Sequence, residues 1–206
     1  MQESQWSGLI VEPLASQVHT WLEAGKLDEG DLDRLLTPTA RSIVESVMEA
    51  PSWVPLSDVE GLVALVAEQV GGGAGLVEWA EGAAELWATD SRVVSILDQA
   101  RGLIDATGYV IAQSSERVVQ NVDWRFEGGR DRFNVRLRGF ARASADLKTL
   151  LGALLARLGE RTRGGFGDLR FEGVDSAELC IFGERRLQER LDGSDESRLH
   201  RAALIA

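Results

Sequence analysis

The side chains with the most chemical potential in this chain are few and far apart. Its two histidines, His19 and His200, sit near opposite ends of the 206 residues, and Cys180 is the single cysteine. Zinc sites take their ligands from clustered His and Cys residues, so no metal is expected. Cys180 alternates with Leu179 and Ile181 in a predicted strand, where a free cysteine acts as a small buried hydrophobe. As a nucleophile it would need an adjacent base and a lowered pKa. Asp28, Asp31 and Asp33 suggest calcium, but an EF-hand loop places acids at alternate positions and a Glu at its twelfth, which these residues fail to do. A solvated acidic helix start is the better reading. The run Gly71-Gly72-Gly73-Ala74-Gly75 suggests a phosphate loop, which needs a strand before it and Lys-Ser or Lys-Thr after it. Here a helical pattern precedes and Leu76-Val77 follows, which fits a turn between helices. The 33 acids offer many carboxylates for acid–base chemistry, yet no catalytic constellation stands out. The chain is expected not to be an enzyme and to hold no cofactor.

Two other groupings suggest binding. Arg125, Arg132, Arg136 and Arg138 form a basic patch on one predicted hairpin, with Arg130 and Arg142 nearby. A nucleic-acid surface needs a basic face, but the net charge is -11 and unevenly spread. Up to Gln120 there are 6 basic and 19 acidic residues; from Asn121 onward there are 16 and 14. A wet sheet face balanced by the acidic helices, or by an acidic partner, explains the arginines better, and nucleic acid is disfavoured. Such a charge split can also orient a partner. The tryptophans crowd the acidic half, and Trp53, Trp79, Trp87 and Trp124 are candidate ligand or interface residues, since large aromatics anchor cores, interfaces and apolar pockets.

The elements that must position these groups are read from hydrophobic period. Val122, Trp124 and Phe126 alternate with polar residues, and so do Phe133, Val135 and Leu137, which predicts two strands joined through Gly128-Gly129-Arg130-Asp131. Leu147, Leu150, Leu151, Leu154, Leu155 and Leu158 then lie on one helical stripe, over 145–161. Residues 166–172 and 177–182 give a second hairpin turning through Gly173-Val174-Asp175-Ser176. Upstream, Pro13 suits the first turn of a helix that stops near Gly25. Thr37-Pro38 opens another, and Pro51 to Leu56 must be extended. Ser57-Asp58-Val59-Glu60 reads as a capping box, Thr89-Asp90-Ser91 as a cap, and Gly108 as a helix stop. Residues 109–120 suit either a strand or a bridging segment.

Helices followed by strand-strand-helix-strand-strand, with Trp53-Val54-Pro55-Leu56 before a helix, a Gly-bounded helix holding Trp79, and Leu169-Arg170-Phe171 through Leu179-Cys180-Ile181-Phe182, resemble a known superfamily. It unites haem-NO-binding domains, vinyl-4-reductase-like ligand-binding domains and TRAPP vesicle-tethering subunits; more narrowly, the chain is similar to a myxobacterial paralogous family. The resemblance covers about residues 30–183. It implies a bacterial ligand-binding or adaptor protein. The haem-binding members use a helical His and a Tyr-x-Ser-x-Arg contact, which Gln113-Ser114-Ser115-Glu116-Arg117 and the position of His19 do not supply, so no haem is expected.

The expectation is an α+β fold, N-terminal helices followed by a β-β-α-β-β four-stranded antiparallel sheet covered by helices. One domain would span 1–183, with a helical part to 108 and a sheet-and-helix part over 109–183; 184–206 would be a charged tail, partly disordered or helical. No apolar run approaches the about 20 residues that span a bilayer, residues 1–5 lack a signal-peptide pattern, and one cysteine suits a reducing compartment, so a cytoplasmic location is expected. The predicted role is a non-catalytic sensory, signalling or adaptor protein, a homodimer, binding an apolar small molecule or a protein partner. The alternative is an acidic secretion-type chaperone that holds an extended partner segment.

Overall fold

The computed structural model describes residues 5–46, 52–100, 106–128, 132–162 and 166–185. A short strand β1 (Gln5–Ser7) leads into α1 (Gly8–Glu23), α2 (Glu29–Leu35), α3 (Pro38–Ser46), β2 (Trp53–Pro55), α4 (Leu56–Val70), α5 (Gly73–Trp87), α6 (Ser91–Gln99) and α7 (Ala106–Val118). Then follow β3 (Asp123–Gly128), β4 (Arg132–Arg138), α8 (Ala145–Glu160), β5 (Phe166–Glu172) and β6 (Glu178–Arg185). The fold is α+β, with the expected strand-strand-helix-strand-strand unit. Strand β6 continues past Gly183, so Glu184 and Arg185 belong to the sheet rather than to a tail; 186–206 lie outside the described residues. Residues 109–118 are helical, not extended, and Gly108 lies inside α7 instead of ending a helix. Its lack of a side chain makes room for the sheet, because a Cβ there would stand 2.5 Å from the Phe126 ring.

Several local choices make sense only across long sequence distances. Pro13 is not in the first turn but well inside α1, whose N-cap Ser7 accepts the Leu9 N–H at 3.2 Å. A proline cannot donate to the carbonyl four residues back, which here belongs to Leu9. The buried indole N–H of Trp87, on α5, donates to that carbonyl at 2.9 Å. The Ser57/Glu60 capping box does not form: α4 starts at Leu56 and has no side-chain cap. Glu60 instead accepts the backbone N–H of Ser144 at 2.7 Å, while the Ser144 hydroxyl accepts the Leu147 N–H at 3.1 Å. The cap of α8 is thus shared between α4 and α8. Buried Asp58 accepts the hydroxyl of Thr37, which caps α3 by accepting the Ala40 N–H at 3.1 Å.

Strands β1 and β2 pair antiparallel, Trp6 opposite Val54. The four-stranded sheet runs β3-β4-β6-β5, each neighbour antiparallel. Helix α8 buries all six leucines of its predicted stripe. It packs on β5 and β6, α7 packs on β4 and α8, and α5 packs on α8 from the helical side. The face of the sheet turned to these helices carries Phe133, Val135, Leu137, Leu179 and Ile181, all buried, with Trp124, Phe126, Leu169 and Phe171 partly buried around them. They join the helices in one hydrophobic cluster.

Candidate functional site

Period-two alternation sends the remaining side chains of each strand to the opposite, outer face. Among the described residues, the helices that pack most closely on the sheet, α7 and α8, lie on the inner side. Strand β4 presents Arg132, Asn134, Arg136 and Arg138 outward, and β6 presents Glu178, Cys180, Phe182 and Glu184. The edges add Asp123, Arg125 and Glu127 from β3, and Arg170 and Glu172 from β5. The four arginines of the predicted basic patch therefore do share one face, but acids are interleaved with them.

Strand register decides which charges meet. Arg138 lies opposite Glu178, and its Nε donates to the carboxylate at 2.7 Å. Arg136 lies opposite Arg125, a like-charge pair, and its Nη2 reaches Glu127 at 3.4 Å. Among the described residues, Arg125, Arg132, Arg170, Glu172 and Glu184 form no ion pair. At the centre, Asn134 lies opposite Phe182 and Arg136 opposite Cys180. Asn134 Oδ1 and Arg136 Nε are shut off from solvent without a hydrogen-bond partner, a state that costs about 1–3 kcal/mol per group. A depression of about 410 Å³ crosses this region, lined by Glu127, Arg132, Asn134, Glu172, Phe182 and Glu184 with the nearby backbone. Burial pushes the Cys180 thiol up, and Glu178, Glu172 and Glu127 add to this against the opposing Arg136. The sulfur is therefore a neutral thiol at pH 7, poor in nucleophilicity.

The tryptophans do not converge. Trp87 is buried between α5 and α1, Trp79 donates from α5 to Gln17 of α1 at 3.4 Å, and Trp124 donates from β3 to Glu116 of α7 at 2.9 Å. Trp53, 38% exposed, stands on β2. None of the four lines the depression. Phe182 and Asn134 are the residues that reading the sequence missed. The signal was there: Phe182 is a large apolar residue at an outward position of its alternation.

Among the described residues no group of three or more His, Cys, Asp and Glu could hold a metal ion, and no helix is long and apolar enough to cross a membrane. No protein-family model, curated protein or solved structure matches the chain.

Proposed function

We propose that this chain is a non-catalytic adaptor that works through the outer face of its four-stranded sheet, on which no described helix packs, and that this face docks on a protein surface. One observation carries the reading: among the described residues five charges of that face, Arg125, Arg132, Arg170, Glu172 and Glu184, form no ion pair. Another protein that completes the face supplies counter-charges to such groups. The half-buried Phe182 and the uncommitted charges around it suit the same use, an aromatic centre within a polar rim. The charged groups around the depression, Glu127, Arg132, Glu172 and Glu184, suit a protein surface better than a wholly apolar small molecule.

Cys180, the single cysteine, reports on this face. Its alkylation by N-ethylmaleimide in a native extract of the source cells is expected to be much slower than in the denatured chain, and to speed up when Phe182→Asp disrupts the face. Equal rates in the extract and in the dilute pure folded protein, unchanged by Phe182→Asp, would overturn the reading.

A further inference from the structure

The outer face carries a charge pattern that its own strands leave unused. One row across the sheet reads Arg125, Arg136, Cys180, Glu172, from β3 to β5; the next reads Glu127, Asn134, Phe182, Arg170. The flanking rows set Arg138 beside Glu178 and Arg132 beside Glu184. Across the midline between β4 and β6, each of these charges mirrors its opposite, Arg125 against Glu172, Glu127 against Arg170, Arg138 against Glu178 and Arg132 against Glu184. Within one chain the relation helps only neighbours, and β3 and β5 are not neighbours.

We propose that, on the docking role given to this face above, its occupant is a second copy of this chain, related by a two-fold axis that runs parallel to the strands over the β4–β6 midline. That axis lays β4 of one copy over β6 of the other and β3 over β5. Arg125 then meets the partner's Glu172, Arg132 the partner's Glu184, Glu127 the partner's Arg170, and each contact occurs twice. Among the described residues, every one of these charges except Glu127 is without an ion pair inside the chain. The shape agrees. A twisted sheet is a saddle, and a two-fold axis along its strands carries a saddle onto itself, so two copies nest with strands aligned. The like-charged neighbours Arg125 and Arg136, unfavourable within one sheet, each face a row that contains a carboxylate. A patch of four strands, about 20 by 20 Å at about 4.8 Å between strands, is at the small end of interfaces, so the dimer is concentration-dependent.

The test uses the full chain. Analytical ultracentrifugation over a concentration series is expected to move from 22.4 kDa to twice that mass. Arg125→Glu and Glu172→Arg should each weaken self-association by at least about tenfold, because every reversed charge meets a like charge twice in a two-fold dimer. Circular dichroism should show both variants folded. Mixed together, the two should form a heterodimer, since Glu at 125 then faces Arg at 172 and the native pair is kept at the other contact. Alkylation of Cys180 in the pure protein should slow as concentration rises. A mass that stays at 22.4 kDa up to about millimolar concentration overturns the proposal, as does a dimer indifferent to both reversals. Protection of Cys180 in cell extract but never in the pure protein would also overturn it while leaving the adaptor reading intact, and would point to a different protein. Protection that is the same at every dilution would place cover from within the same chain and overturn it too.

Discussion

The two faces of the four-stranded sheet are built from the same strands, residue by residue in alternation, yet among the described residues only one is covered by helices. Inward, Phe133, Val135, Leu137, Leu179 and Ile181 are buried beneath α7 and α8, and each has apolar neighbours. Outward, Arg125 stands opposite Arg136, Phe182 is only half covered, and two polar atoms lack partners. Strand formation does not explain the difference, since both faces share every backbone hydrogen bond. The inner face is accounted for by folding, and contact with another protein is the proposal for the outer face. Substitutions on the inner face should change stability and leave association alone, and those on the outer face should do the reverse.

The largest effect is expected at Phe133, which is 3% exposed. Phe133→Ala removes most of a buried ring from the inner face and should cost about 3–5 kcal/mol in denaturant unfolding. Leu154→Ala, on the covering helix and 2% exposed, should cost about 2–5 kcal/mol. A loss under about half a kcal/mol at either site, within the range of ordinary surface substitutions, would break the comparison by showing that the inner face is not the core.

Gly152→Ala comes next. Gly152 lies on α8 where Phe171 packs, and a Cβ there would stand 2.5 Å from the ring. Alanine favours a helix over glycine by about 0.5–1 kcal/mol, but overpacking costs about 1–3 kcal/mol, so the net sign is a loss. A stabilised variant would show that Phe171 moves aside freely and that the inner face is looser than its packing.

How far this division was legible in the sequence follows from the range of the interactions. The inner face and α8 were readable because their signal is local: period two in 133–137 and a leucine stripe in 147–158. Helix α7 was not, because small residues such as Gly108, Ala112, Ser114 and Ser115 share its buried face with Val110, Ile111 and Val118 and thin the apolar stripe. Glu60 was assigned to its own helix because its real partner, the N–H of Ser144, lies 84 residues away. The tryptophans suggested a shared surface because composition is blind to direction; Trp87 is committed to the carbonyl that Pro13 frees. The outward arginines could be listed from alternation alone, but their neighbours could not, since the order β3-β4-β6-β5 places the last strand inside the sheet.

On the outer face, Arg125→Glu should separate the two properties most clearly. It converts a like-charged cross-strand pair with Arg136 into an opposite one, which should stabilise the isolated fold by about 0.2–1 kcal/mol. The same change should weaken self-association. Thermal unfolding at low concentration and sedimentation at high concentration would then move in opposite directions. Destabilisation together with unchanged mass would mean that Arg125 serves the fold, and the division between the faces would fail.

The smallest effect concerns pH, and it belongs to the outer face alone because Cys180 is the titrating group. Burial raises its thiol above the usual value of 9.0, with Glu178, Glu172 and Glu127 adding to the shift and Arg136 opposing it. An acid whose pKa is raised on folding releases its proton from the unfolded chain first. The unfolded state therefore gains as pH climbs past 9.0, and the thiol's contribution to stability, complete below that value, is lost as pH rises through the folded pKa. Comparing the native chain with Cys180→Ala at each pH cancels the other groups that titrate in the same range. The stability difference between the two should be flat up to about pH 8.5 and should then shift against the native chain. Docking would bury the sulfur further and push the thiol higher still, so at concentrations where the chain self-associates the shift should begin at the same pH and extend over a wider range. A difference that stays flat to high pH would show that the sulfur is as well solvated folded as unfolded, and that the centre of the outer face is ordinary wet surface.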